Sequence, residues 1–65
     1  MLRIKEVRKL KKMSQDELAR ATGCTQSAIS QYEIGETNPS LEMLVKIAAA
    51  LEVSVDDLII KEVPA

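Results

Sequence analysis

The sequence has no histidine, tryptophan or phenylalanine, and one each of tyrosine and cysteine. Without histidine the usual general base and the commonest metal ligand are both missing. Cys24, the single thiol, has no evident base to activate it. No cluster of side chains has metal-ligand spacing. Asp56 and Asp57 are adjacent, but neighbours on a helix point about 100° apart and share no site. They suit a helix N-terminus instead. Neither enzymatic activity nor a cofactor is expected. A lone cysteine cannot form an internal disulfide, which fits a reducing, cytoplasmic setting. Its simplest role is that of a small buried apolar group in a turn. No apolar run approaches the roughly 18 residues of a membrane span, and the start shows no signal-peptide pattern. Two glycines and two prolines leave little room for long loops.

What is present is aliphatic and helix-forming. Apolar residues make up 46% of the 65 residues, so the core must be built from aliphatic side chains. A chain of this length buries only about 60% of its unfolded surface. One small all-α domain, residues 1–65, is the expectation, with no internal repeat and no linker.

The net charge of −1 argues at first against a polyanionic partner. Its distribution argues the other way. Residues 1–13 carry six Lys/Arg and one acid, a net of +5, whereas residues 14–65 carry three bases and nine acids, a net of −6. A basic end can meet phosphate while the acidic remainder limits indiscriminate binding. Lys5, Lys9 and Lys12 recur at helical spacing as one stripe, which is equally what a solvated helix face would show.

Five helices follow from pattern and caps. Leu2 to about Lys12 reads as the first, with Ile4 and Val7 inward. Ser14 opens the second, and Glu17 completes a capping box. Leu18 and Ala19 face inward and Thr22 ends the run. Gly23 supplies a residue able to take positive φ. Thr25 caps a third helix, about Gln26 to Glu33, with Ala28, Ile29 and Tyr32 on its buried side. Gly35 and Pro39 separate it from a fourth, Leu41 to about Leu51, capped by Ser40. There Leu41, Leu44, Ile47, Ala48 and Leu51 have the spacing of one inward face. Ser54 and Asp57 make a second capping box for a short fifth helix, with Leu58 in the core.

The third helix carries Gln26, Ser27, Ser30 and Gln31 on its outer face, all amide or hydroxyl and none charged. Such groups pair with base edges in the major groove, where each base pair shows a distinct donor and acceptor pattern. Two helices joined by a tight turn let the second project into that groove. A glutamine there can pair bidentately with adenine, and Gln15 at the first turn of the second helix suits a phosphate oxygen.

The ordered pieces Ser14-Gln15-x-Glu17-Leu18-Ala19, Gly23, Thr25-Gln26-x-x-Ile29-Ser30, Glu33-x-Gly35-x-x-x-Pro39 and Pro39-Ser40-Leu41 lie at consistent separations. Ile47-Ala48-x-x-Leu51 and Val53-Ser54-Val55 extend the series. Together they resemble the Cro/phage-repressor (XRE) family of helix-turn-helix DNA-binding domains, over nearly the whole chain. The resemblance implies a compact five-helix, lambda-repressor-like fold whose helices 2 and 3 form the helix-turn-helix. It implies base contacts from Gln26, Ser27 and Gln31, with Ser30 on the same face. Phosphate contacts would come from Gln15 and Thr25, with Thr37 and Asn38 in the following loop. It further implies an ion bridge between Arg8 and Glu33, which charge complementarity between helices one and three also favours. The chain departs from the family pattern at Glu36 and Ile34, where relatives often carry polar or basic residues. It departs again at Thr22, usually more apolar, and at Lys12, commonly a helix-ending glycine.

The implied function is sequence-specific binding of double-stranded DNA by a transcriptional regulator, a repressor at a palindromic operator. A single small module buries little DNA surface, so a homodimer is expected, using the spare apolar groups Ile59, Ile60 and Val63. The alternative is a protein-interaction module, such as an antitoxin neutralising a toxin partner.

Overall fold

Four helices begin on a hydroxyl, and each hydroxyl accepts a backbone N–H three residues on. Ser14 Oγ takes the Glu17 N–H at 3.0 Å, Thr25 Oγ1 that of Ala28 at 3.1 Å, Ser40 Oγ that of Met43 at 3.1 Å, and Ser54 Oγ that of Asp57 at 3.3 Å. Each bond satisfies one of the free donors of a helix start. Glu17 and Asp57 return the bond to the capping residue's own N–H, so both expected capping boxes form. The Glu17 carboxyl is held below the usual carboxylate range, first by the Ser14 backbone N–H and then by its hydroxyl.

The computed structural model describes residues 2–59. Among them lie α1 (Ile4–Leu10), α2 (Gln15–Thr22), α3 (Gln26–Ile34), α4 (Leu41–Leu51) and α5 (Val55–Leu58). The core joins Ile4 and Val7 of α1, Leu18 and Ala19 of α2, Ile29 of α3, Leu44, Ile47, Ala48 and Leu51 of α4, and Leu58 of α5. Helix α2 sits at the centre, packed on both α3 and α4. Small Ala19, 2% exposed, permits that close approach. No described helix is long and apolar enough to cross a membrane.

Three expectations need correction. Leu2 and Arg3 are not helical. Leu2 pairs with Ile59 in an isolated antiparallel bridge, and the Arg3 N–H donates to the Leu58 carbonyl at 2.7 Å. Backbone bonding to the end of α5 therefore replaces the first helical turn. Leu41 is 73% exposed rather than buried. It is the first residue of α4, and the inward face closes only from Leu44 onward. Ala28 and Tyr32 are half-buried, which leaves Ile29 as the one fully buried apolar side chain of α3.

The turns depend on positive φ. Gly23 (φ +74°) and Gly35 (φ +78°) end α2 and α3 in the left-handed region, where glycine has no steric penalty. Lys12 does the same work at φ +56° without that freedom. A left-handed conformation costs a residue with a Cβ about 1–2 kcal/mol, partly offset because glycine loses more chain entropy on folding. Lys12→Gly should therefore stabilise the domain by about 0.5–1 kcal/mol. The midpoint of urea unfolding measures it, and an unchanged or lower midpoint would refute the strain.

Thr22 is 4% exposed although its position favours an apolar group. Its hydroxyl donates to the Leu18 carbonyl at 2.8 Å and lies 3.1 Å from Cys24 Sγ. The hydroxyl is thus satisfied within its own helix end. Cys24 is half-buried and packed against the core, as a turn residue should be.

Candidate nucleic-acid interface

Residue spacing on α3 puts Gln26, Ser30 and Ile34 in one row and Ser27 and Gln31 in the next, four residues apart along the helix. The capped start of α2 brings Gln15 alongside. These side chains, with Glu36 from the following loop, line a single concave surface. Five of the expected site residues are thereby assembled on one wall: Gln15, Gln26, Ser27, Ser30 and Gln31. Gln26 and Ser27 are exposed, whereas Gln15, Ser30 and Gln31 are half-buried. Thr25, Thr37 and Asn38 are exposed but do not line that wall. Thr25 already accepts the Ala28 N–H, and its hydroxyl proton remains free to donate.

Behind the wall is a hydrogen-bonded chain that begins in the core. Arg8 Nε donates to Glu33 Oε2 at 2.7 Å, and Arg8 Nη2 to Oε1 at 3.2 Å. The third guanidinium bond, from Nη1, goes to the Met13 carbonyl at 2.8 Å. The Glu33 side chain is only 2% exposed. The ion bridge between helices one and three is therefore present, bidentate and buried. Burial pushes the Glu33 carboxyl up, but hydrogen bonds from Arg8 and Gln15, with the charges of Arg8 and Lys5, outweigh it. The net direction is down.

Gln15 is tied into the same carboxylate. Its Nε2 donates to Glu33 Oε1 at 2.9 Å, and its Oε1 accepts from Gln26 Nε2 at 3.4 Å. An ionised carboxylate only accepts, so Gln15 must turn its NH₂ toward Glu33 and its oxygen toward Gln26. Gln26 then spends one N–H on Gln15. Its other N–H and its carbonyl oxygen remain for a ligand, a donor beside an acceptor. Among the described residues no buried side-chain nitrogen or oxygen lacks a partner. The tie between Gln15 and Glu33 had no sequence signal, because the two are 18 residues apart on different helices.

Ile34 and Glu36 were noted in the sequence only as departures, yet both line the wall. No cation lines it. The exposed lysines Lys5, Lys9 and Lys12 sit on or just after α1. No group of three or more described His, Cys, Asp or Glu residues could hold a metal.

Comparison with known proteins gives a consistent result. The sequence model of the family described as helix-turn-helix matches residues 4–58. The phage CTXphi transcriptional repressor RstR of Vibrio cholerae is 41% identical over 86% of this chain and 50% of its own length. The transcriptional regulator SinR of Bacillus subtilis is 45% identical over 88% of this chain and 52% of its own length. The chain thus spans about half the length of these curated relatives. The crystal structure of SinR in complex with DNA superposes with a TM-score of 0.77 at 45% identity, covering 83% of this chain and 87% of that one. That of the P22 c2 repressor with a synthetic operator gives 0.78 at 41%, covering 83% and 82%.

Proposed function

This chain belongs to the helix-turn-helix family of the Cro/phage-repressor (XRE) type, and we propose that it is a sequence-specific DNA-binding transcriptional regulator, a repressor acting at a palindromic operator. The observation that carries this reading is the wall of uncharged hydrogen-bonding side chains at the start of α3, presented directly after the turn at Gly23. The names of the relatives RstR and P22 c2 support it.

In this reading α3 enters the major groove with Gln26 and Ser27 deepest, and Ser30 and Gln31 follow one turn later. Gln26 offers its carbonyl oxygen to adenine N6 and its free N–H to N7. Gln15, at the positive end of α2, and the Thr25 hydroxyl hold phosphate oxygens, with Thr37 and Asn38 against the same strand. Two copies read two half-sites about one helical turn apart. Ile59, 38% exposed, is a candidate for the self-complementary contact; its expected companions Ile60 and Val63 lie outside the described residues. Residues 1–65 act as one domain in the cytoplasm. The alternative, a toxin-neutralising antitoxin, leaves the uncharged wall without a use.

Selection of bound sites from random duplex DNA at stated salt tests the reading, since affinity depends steeply on salt. Wild type should return a two-fold symmetric motif. Gln26→Ala should lose preference at one position in each half-site, worth about 1–3 kcal/mol of discrimination. Recovery of the same motif by both proteins would remove Gln26 from its role.

A further inference from the structure

We propose that Ile34 recognises the 5-methyl group of a thymine, adding an apolar readout to the polar one. The proposal rests on the DNA-binding reading and names a base that the site should require. Ile34 is the last residue of α3 and is 68% exposed. It continues the row of Gln26 and Ser30 and lines the same concave wall. An aliphatic side chain gains nothing from water or from a hydrogen-bonding base edge. The thymine methyl is the one apolar group that the major groove edge of a base pair offers.

Ile34 shares its row and its wall with Gln26 and Ser30, the side chains that this reading sets against base edges. Eight residues separate Ile34 from Gln26, about 12 Å along the helix. At about 3.4 Å per base step, the thymine should lie about three or four base pairs from the base read by Gln26.

The test uses the full chain and the site selected by wild type. Each thymine in one half-site is replaced singly by deoxyuridine, which removes only the methyl group. Affinities are then measured for wild type and for Ile34→Ala. Ile34 is exposed and alanine is a better helix former, so the variant keeps its fold. One replacement should weaken wild type about fourfold, the effect of leaving one methyl-sized group unburied. The same replacement should leave Ile34→Ala unaffected. If both proteins bind and no deoxyuridine effect depends on Ile34, the proposal is overturned. If no site is selected at all, it is the DNA-binding reading that has failed, and the proposal falls with it.

Discussion

Glu33→Ala should destabilise the domain by about 3–5 kcal/mol, because it strands the Arg8 guanidinium in the core without its counter-charge. A 65-residue domain has only about 3–10 kcal/mol to lose, so the change should remove roughly half of its stability or more. Urea unfolding should show the midpoint falling sharply with little change in slope. Arg8→Met/Glu33→Leu, which removes both charges and keeps volume, should recover much of the loss. A loss under about 1 kcal/mol for Glu33→Ala would mean that the pair behaves like a solvent-screened surface bridge. Acid should reproduce the effect in wild type. The folded Glu33 pKa is lowered, so its contribution is complete above the unfolded value of about 4.3. It is lost as pH falls through the folded value. The same change unties Gln15, so the carboxylate that holds α1 to α3 also orients the amides on the wall.

Ile29→Ala should cost about 2–5 kcal/mol, comprising lost burial and an unfilled cavity. Ile29 is 0% exposed and is the one fully buried apolar side chain of α3. The helix that carries Gln26, Ser27, Ser30 and Gln31 is therefore anchored at its middle by a single plug. Its two ends are held by the Thr25 cap and the Glu33 network. Ile29→Val should cost only about 0.5–1.5 kcal/mol. Thermal unfolding monitored by circular dichroism separates the two variants. Equal small losses would show that α3 is seated by its ends rather than its middle. DNA affinity should fall with the folded fraction, while the base preferences of the remaining folded protein stay unchanged. This distinguishes Ile29 from Gln26, whose loss should alter preference and leave stability nearly untouched.

The difference between these two residues also marks how far the residues alone could be read. Ser14, Thr25, Ser40 and Ser54 announce helix starts because a cap acts over three residues. Gly23 and Gly35 announce helix ends because positive φ is a property of one residue. The starts of α2, α3, α4 and α5 were legible to the residue for that reason, whereas α4 ends on Glu52 at φ +58°, where no glycine announces it. The polar face of α3 was legible too, since helical spacing alone places those side chains together. The pairing of Arg8 with Glu33 could be read from opposite charge together with family resemblance, though not its bidentate geometry.

Contacts between distant segments were not legible. Leu2 has the apolar character of a helical core residue, yet its backbone bonds to the end of α5, a partner 57 positions away. Leu41 has the correct spacing for burial and is exposed, because spacing assigns a face and only packing decides how far along that face the neighbours reach. Gln15 could be placed at a helix start, but its amide polarity was set by a carboxylate 18 residues away. Local propensity and periodicity thus determined which helices form, where the four capped ones begin, and which face of α3 is polar. Only the tertiary structure decided that Gln15 and Glu36 join that face, and how the Gln15 and Gln26 amides are oriented. Those outcomes depend on distances across the fold, which no local spacing encodes.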